Sequence, residues 1–271
     1  MYVIKYSGEK EEFNPGKVKR TLLRAGAPEK LAEEIVKEVE SQIYEGITTK
    51  EIYNLVIKLL KKAKPVQIKY GLKGAIMQLG PAGYAFENYI AEILREYGYK
   101  TELRREIAGE CAMHEIDIIA RKEEKIYMIE CKYHNSLGTF TKLKEVLYTY
   151  ARFLDLKNHF DQAWLVSNTK VSQEGIKYGN CVGMKIISWG YPENGSLEKL
   201  IESKKLYPIT ILPSVDDKVL EKFFHANIML VKNLLKYDFK QLQRKTRINE
   251  RKLGEIIREA KQLSISQEKG V

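Results

Sequence analysis

Two neighbouring segments, HEIDIIA (His114 to Ala120) and IYMIECKYH (Ile126 to His134), decide the fold of the central part of the chain. Both segments are short and rich in Ile and Tyr, which are residues that favour β-strands. The polar run 121–125 separates them and is typical of a turn. The sequence therefore predicts a β-hairpin at this point.

The register of this hairpin sets the relation between its charged residues. If the turn is symmetric, Arg121 lies opposite Ile126, and by the same count Asp117 lies opposite Glu130. Side chains alternate between the two faces of a strand, so Glu130 and Lys132 share one face. We therefore expect two carboxylates and one ammonium group to lie together at one end of the hairpin.

Two carboxylates that face each other across a strand pair repel. The arrangement is favourable when a divalent cation lies between them, and hard oxygen ligands suit Mg²⁺ or Mn²⁺. Lys132 is then available to a phosphate or to an attacking water. The alternative interpretation is a solvated hairpin that carries ordinary surface charges.

A helix of the form G-x-x-F-E precedes the hairpin, in the segment GYAFENYIAEILREYGY (Gly83 to Tyr99). Together these segments resemble the PD-(D/E)xK nuclease superfamily, and within it the Mrr-type restriction endonucleases and archaeal Holliday-junction resolvases. The resemblance implies that Asp117 and Glu130 bind metal and that Glu87 is an accessory ligand. It further implies that Lys132 orients or helps to deprotonate the attacking water, so that all four side chains are catalytic.

The segment FTKLKEVLYTYARFL, Phe140 to Leu154, has helical periodicity. We expect one apolar stripe to pack on the sheet, formed by Phe140, Leu143, Leu147, Tyr150 and Leu154. Its other side offers three basic residues to DNA phosphates, namely Lys142, Lys144 and Arg152. Two further strands, one at 163–166 and one in GMKIISWGYP, are predicted downstream, with Trp164 and Trp189 in the core rather than stacked on bases.

The first 80 residues predict a module of their own, with a β-hairpin followed by three helices at 17–25, 29–44 and 49–62. This layout resembles the ATP-cone, a nucleotide-sensing domain. The resemblance assigns nucleotide contacts to Val3, Lys5, Glu11, Asn14, Lys17 and Thr49. Because the chain contains no Walker A sequence, ATP or dATP is expected to act as an effector rather than as a fuel. The alternative is a helical DNA-binding or dimerisation module without a nucleotide site.

The tail, residues 206–271, repeats a helical theme and resembles a helix-hairpin-helix domain, which binds DNA phosphates through backbone N–H groups. The hairpin lacks its usual glycines, and nearby basic side chains are expected to compensate, namely Lys245, Arg247, Arg251 and Lys252. The alternative is a tail that binds protein.

Charge is unevenly distributed. The chain has 46 basic and 36 acidic residues; the excess of basic residues lies in 1–80 and 206–271, whereas 81–205 is neutral. Basic flanks beside a neutral catalytic segment suit a polyanion that one module holds and another cuts. The three cysteines form neither a zinc motif nor a disulfide framework, and no segment is long and apolar enough to span a membrane. The sequence thus predicts a cytoplasmic protein without a membrane partner.

We therefore expect an α/β multidomain protein with three parts. These are a mostly helical ATP-cone with an N-terminal β-hairpin (1–80), a restriction-endonuclease-like α/β core with a mixed sheet (81–205) and a small all-α helix-hairpin-helix-like domain (206–271). The predicted function is a nucleotide-regulated, metal-dependent DNA endonuclease that acts in restriction or repair as a homodimer or higher oligomer. Two alternatives remain: a nucleotide-responsive DNA-binding regulator with an inactive nuclease fold, and a structure-specific, resolvase-like nuclease.

Overall fold

The computed structural model describes residues 1–80, 84–136 and 138–265. Gly83, the first residue of the G-x-x-F-E pattern, lies outside the described residues. None of the helices in the described part is long and apolar enough to cross a membrane.

The N-terminal module begins with an antiparallel hairpin and continues with three helices. Pro15 opens the first helix, where its missing N–H costs nothing. Thr48 and Glu51 form a reciprocal capping box at the third. The module has its own apolar core around Leu22, Val39 and Val56. Its elements are β1 (Tyr2–Ile4), β2 (Lys10–Glu12), α1 (Pro15–Arg24), α2 (Glu29–Gln42) and α3 (Thr49–Leu59).

Two short helices, α4 (Lys64–Tyr70) and α5 (Leu72–Ile76), lead out of this module. Their buried residues Ile68, Leu72 and Ile76 belong to the core of the rest of the chain and not to that of the first module. The segment up to residue 80 is therefore shared between two cores, and the boundary at residue 80 stays a prediction.

The central part is a three-layer α/β unit. Its five-stranded sheet has the order β3-β4-β5-β7-β9, in which β3, β4 and β5 are antiparallel and β5, β7 and β9 are parallel. A small parallel pair, β6 and β8, lies beside it. The elements are α6 (Tyr84–Glu96), β3 (Lys100–Ala108), β4 (Met113–Lys122), β5 (Lys125–Lys132), β6 (Phe140–Thr141), α7 (Leu143–Asp155), β7 (Gln162–Ser167), β8 (Lys170–Val171), α8 (Gln173–Cys181), β9 (Lys185–Ile187) and α9 (Leu197–Ser203).

Each face of the sheet has a separate core. Helix α6 packs on the face that carries Ile118, Ile129 and Trp164. Helix α7 packs on the opposite face, against Met128 and Leu165. Trp164 and Trp189 are buried, so the prediction that both are core residues is confirmed.

The face that α7 presents to the sheet differs from the predicted one. Phe140, Leu147 and Leu154 are exposed, whereas the helix buries Val146, Thr149 and Arg152. The Thr149 hydroxyl donates a hydrogen bond to the Glu145 carbonyl at 2.8 Å, and the Arg152 guanidinium pairs with Glu130 on β5. The buried face of α7 therefore contains two polar residues. A search for apolar residues at helical spacing does not find such a face.

The tail consists of α10 (Asp217–His225), α11 (Val231–Leu234), α12 (Phe239–Thr246) and α13 (Glu250–Ile265). The sequence predicts helices at 218–226, 229–235, 239–244 and 250–263, and each end agrees within two residues. It shares one apolar core with the α6 side of the sheet. The buried Tyr89 hydroxyl donates to the Leu206 carbonyl at 2.8 Å and fixes the start of the tail. The multidomain α/β fold class, with its helical tail, is confirmed.

Among the described residues, the first module contacts the central unit at the end of α1 and at the turn of its hairpin. At the end of α1, Arg24 lies 2.6 Å from Glu198 and 3.1 Å from Glu202, both on α9. The turn of the β1–β2 hairpin contacts the loop around Gly138, where an added Cβ would lie 3.0 Å from the Ser7 nitrogen.

Candidate active site and nucleotide pocket

The β4–β5 hairpin has the register that the sequence predicts. Arg121 pairs with Ile126 and the ladder ends at Ile118 and Ile129. The next positions are Asp117 and Glu130. Asp117 Oδ2 accepts a hydrogen bond from the Cys131 N–H at 2.7 Å, so the two strands remain tied at this point.

Asp117 lies where the sheet is locally interrupted. The β3–β4 ladder pairs Leu103 with Ile118 and Arg105 with Ile116 but leaves Asp117 unpaired. Across from it, Arg104 has a left-handed backbone with φ of 49°. Such irregularities redirect side chains and are frequent beside active sites.

The environment of Asp117 disfavours its charge. Burial raises the pKa of Asp117 to about 7, and the negative charges of Glu130 and Glu87 add to the shift, while the Cys131 N–H opposes it. A cation between these carboxylates removes the repulsion. The paired, desolvated carboxylates therefore fit a divalent metal ion.

Glu130 is only 4 % exposed and is bound by two cations. Lys132 Nζ lies 2.6 Å from Glu130 Oε1, and the Arg152 guanidinium donates to Glu130 Oε2 and to the Glu115 carbonyl. Tyr148 covers both cations, with its ring centre 5.8 Å from Lys132 Nζ and 5.5 Å from the Arg152 guanidinium carbon. Glu130, Lys132, Arg152 and Tyr148 thus form one compact cluster.

Arg152 and Tyr148 have roles that the sequence analysis missed. Arg152 was assigned to DNA phosphates, but its side chain is buried against Glu130. Tyr148 and Arg152 are four residues apart and therefore share one face of α7. This spacing on the helix that packs against β5, whose Glu130 needs a positive partner, could have identified Arg152 and Tyr148 from the sequence.

The charge of Glu87 acts on Asp117, but the Glu87 side chain pairs with Arg104. Its carboxylate accepts from Arg104 at 3.1 Å, and Arg104 also donates to Asn88 at 3.0 Å. Within residues 1–80, 84–136 and 138–265, no three His, Cys, Asp or Glu side chains converge as metal ligands. The structure thus brings Asp117 and Glu130 together and holds Glu87 on Arg104.

The remaining predicted DNA contacts lie on the surface. Lys142 and Lys144 are exposed at the start of α7. In the tail, Lys245, Arg247 and Arg251 are exposed around the tight turn between α12 and α13, which depends on a left-handed Arg247 with φ of 52°. Lys252 instead pairs with Asp216 at 3.4 Å.

A polar network follows the end of β5. The His134 N–H donates to Asn168 at 2.8 Å, and the Asn168 amide donates back to the His134 carbonyl at 2.7 Å. Thr141 hydrogen bonds to the His134 ring at 2.9 Å and to Ser167 at 2.8 Å. The loop after β7 thus fixes the end of β5.

A cavity of about 220 Å³ opens on the first module between its hairpin, α1 and α3. Five of the six residues predicted to bind nucleotide line it, namely Val3, Glu11, Asn14, Lys17 and Thr49. The sixth, Lys5, lies 2.7 Å from Glu11, which also contacts Lys17. The structure therefore gathers all six around one cavity.

The cavity also has an aromatic wall that the sequence analysis did not identify. Phe13, Tyr53 and Tyr70 line it, and the rings of Tyr53 and Tyr70 stack with centres 5.8 Å apart. Aromatic faces suit a planar base, while Lys5 and Lys17 suit phosphates. The cavity therefore has both of the surfaces that a nucleotide requires.

Three family models match consecutive parts of the chain. They are the ATP cone domain over residues 1–70, the restriction endonuclease model over 81–188 and the AF1548-like C-terminal model over 207–264. The ATP-cone and Mrr-type resemblances are thus confirmed. The helix-hairpin-helix character of the tail stays a prediction.

Individual proteins show the same relationship. An uncharacterized protein of Archaeoglobus fulgidus is 42% identical over 175 residues, which are 64% of this chain and 99% of that protein. The crystal structure of AF1548, a protein of unknown function, is 40% identical, with a TM-score of 0.61 over 67% of this chain and 98% of that chain. The DNA modification-dependent restriction endonuclease AspBHI is a distant likeness at 16% identity, with a TM-score of 0.36 over 52% of this chain and 37% of that chain. The chain belongs to the AF1548-like family, with a restriction-endonuclease-like domain that follows an ATP-cone domain.

Proposed function

We propose that the chain is a metal-dependent endodeoxyribonuclease whose activity is controlled by ATP or dATP. The observation that carries the proposal is the cluster of Asp117, Glu130 and Lys132 at the end of the β4–β5 hairpin. Glu130 is buried and held by Lys132 and Arg152, whereas the half-buried Asp117 is repelled by Glu130 and Glu87, which is unfavourable without a further cation. Such an arrangement is costly for stability and is explained by catalysis.

Asp117 and Glu130 would hold Mg²⁺ or Mn²⁺, with Glu87 as an accessory ligand. When bound, the metal ion supplies charge neutralisation at the scissile phosphate and a nucleophile near neutral pH. Lys132 Nζ now donates to Glu130 at 2.6 Å and is 27% exposed, so it can turn towards an oxygen of the phosphate or the attacking water. Arg152 would keep Glu130 in place while Lys132 turns away from it.

DNA binding would use exposed cations of α7 and of the tail. Lys144 lies on the same helix as Tyr148 and Arg152, and Lys142 is the N-cap residue of that helix. Lys245, Arg247 and Arg251 of the tail are exposed, and with Lys252 they would bind further phosphates. One active site cuts one strand, so cleavage of both strands would require two copies of the chain, and we infer a homodimer or higher oligomer in the cytoplasm.

The catalytic proposal is tested by incubating supercoiled plasmid and a four-way junction with the wild type and Glu130→Ala, with Mg²⁺ or Mn²⁺. Cutting by the wild type and by a Glu124→Ala control, an exposed glutamate in the same hairpin, but not by Glu130→Ala, is the expected result. Preference for the junction would identify a resolvase-like nuclease. DNA binding without cutting under any condition would instead identify a regulator with an inactive nuclease fold.

The nucleotide proposal is tested separately by thermal melting with ATP or dATP. Ligand that binds only the folded state raises the melting temperature. The rise should disappear in the double variant Lys5→Ala with Lys17→Ala, and it should persist in Lys10→Ala, which removes an exposed charge from the same hairpin. An undiminished rise in the double variant would place the nucleotide elsewhere.

A further inference from the structure

A second cavity, of about 410 Å³, lies between the ATP-cone and the restriction-endonuclease-like domain. It shares Thr49 and Tyr53 with the nucleotide pocket, so the two cavities are neighbours across α3. Its lining comes from three parts of the chain: Tyr6, Thr49, Lys50, Tyr53 and Asn54 of the cone, Lys73, Gly74 and Gln78 of α5 and the residues after it, and Gly138 of the nuclease domain.

The domains are in close contact at one edge of this cavity. Gly138 has φ of 81°, and a Cβ there would lie 3.0 Å from the Ser7 nitrogen and 3.4 Å from the Tyr6 Cβ. Strand β6 follows Gly138 on the chain and pairs with β8. The contact at Gly138 therefore places both strands near the cone hairpin. The cavity is thus an interface that a change in either domain would alter.

Lys50 and Lys73 line this cavity, and Lys170 acts on Lys73, whose charge Glu198 partly offsets. Among the described residues, no carboxylate lies within ion-pair distance of Lys50, Lys73 or Lys170. Lys73 Nζ lies over the Trp189 ring, 5.6 Å from its centre. Burial and the charge of Lys170 lower the pKa of Lys73, and burial, Lys5 and Lys170 lower that of Lys17. Lys170 of the nuclease domain therefore lies within electrostatic reach of both cavities.

We propose that the phosphate chain of a nucleoside triphosphate bound in the cone extends to this interface, where Lys73 and Lys170 bind its terminal phosphates. The proposal rests on nucleotide binding by the cone and deepens it, since the nuclease domain then contacts the effector directly. A polyphosphate neutralises clustered cations that otherwise repel one another. In this arrangement the terminal phosphates, which AMP lacks, make the contact with the second domain, so the site distinguishes ATP from AMP.

The contact has a route to the catalytic strand. Lys170 pairs with Phe140 in the β6–β8 ladder, and the adjacent Thr141 binds the His134 ring. His134 follows Lys132 by two residues on the chain, and Lys132 pairs with Ser167 across β5 and β7. Holding Lys170 therefore holds the buried network that fixes the end of β5. Nucleotide binding across the interface favours one arrangement of that network through its differential affinity.

The test measures binding of ATP, ADP and AMP to the full chain by calorimetry, in the wild type, Lys170→Gln and Lys73→Gln. Lys170 is exposed, so its replacement leaves the fold intact. ATP affinity should fall about tenfold with loss of one charge-assisted hydrogen bond, and AMP affinity should not change. Lys177→Gln, which removes an exposed charge from α8 of the same domain, is the matched control and should bind ATP as the wild type does.

A second readout follows the interface itself. ATP, but not AMP, should slow amide hydrogen exchange in β6 and β8, and Lys170→Gln should abolish that protection. Equal ATP affinity in the wild type, Lys170→Gln and Lys73→Gln would overturn this inference and leave nucleotide binding by the cone intact. Absence of ATP binding to the wild type would overturn both.

Discussion

Glu130 is a buried carboxylate that Lys132 and Arg152 both contact. The free energy of unfolding of the protein therefore depends on both cations. Arg152→Met removes one partner and leaves the carboxylate with Lys132 alone. We expect a loss of about 3 kcal/mol in the free energy of unfolding, because Glu130 and the Glu115 carbonyl lose a donor and Lys132 alone compensates the buried charge only in part. Urea denaturation of Arg152→Met, Glu130→Gln and the double variant measures the coupling. The double variant should be more stable than Arg152→Met; additive losses would show that the two side chains do not depend on each other.

Asp117 has the opposite relation to stability, because its charge is unfavourable where it lies. Asp117→Asn keeps the acceptor for the Cys131 N–H and removes repulsion from Glu130 and Glu87. The variant should therefore melt at a higher temperature than the wild type in EDTA and should not cut DNA in Mg²⁺. A lower melting temperature would mean that Asp117 is a structural residue.

The sequence could predict the juxtaposition of the candidate catalytic residues because strand alternation and a symmetric turn leave little freedom in a short hairpin. Asp117, Glu130 and Lys132 follow from that register. Arg152 could not be predicted in the same way. A charged residue in an amphipathic helix is assigned to solvent unless the partner that neutralises it is known.

At the scale of elements, the end of α7 is fastened to the β3–β4 connection by Asp155. Its carboxylate accepts from the Cys111 N–H at 2.7 Å, the Ala112 N–H at 3.1 Å and the His114 ring at 2.7 Å. These bonds, the one from His114 first, lower the pKa of Asp155 to about 2.

Because the folded-state pKa lies below the unfolded value, this stabilisation is complete above about pH 4 and is lost as the pH falls through 2. Asp155→Asn should therefore melt below the wild type at neutral pH and approach it between pH 4 and pH 2. Melting curves across that range check the prediction. A constant difference at all pH values would indicate that the carboxylate is not ionised in these bonds.

Elements with clear periodicity were predictable and those with mixed faces were not. The helices of the cone and tail agree with their predicted positions, since capping residues and apolar stripes mark them. Strand β3 was not predicted, because KTELRREIA carries charge on both faces and pairs along only one edge of the sheet. The face of α7 was wrong for a related reason, because Thr149 and Arg152 lie on its buried side.

At the scale of the whole molecule, the order of the parts was predictable but their contacts were not. Composition and resemblance separate a cone, a nuclease domain and a tail. The shared core of α4, α5, the sheet and the tail depends on surfaces that come together only in the folded chain. Arg24 with Glu198 and Glu202 is an example, because 174 residues separate the first two.

Glu202 makes this domain contact sensitive to pH. Burial raises its pKa to about 7, and Glu198 adds to the shift because both carboxylates share Arg24, whose charge opposes it. The folded state thus binds a proton that the unfolded chain releases near pH 4.5. Its contribution to stability is complete below that pH and is lost as the pH rises through 7.

Glu202→Gln should therefore flatten the decline in melting temperature between pH 5 and pH 8, as calorimetry measures it. At pH 8 the free energy of unfolding of the variant should exceed that of the wild type by on the order of 2 kcal/mol, because glutamine keeps the acceptor for Arg24 without the buried charge. Glu40→Gln, at an exposed position of α2, is the control and should follow the wild type. Parallel curves for Glu202→Gln and the wild type would show that Glu202 ionises alike in the folded and unfolded chains, and the contact between the domains would then be indifferent to pH.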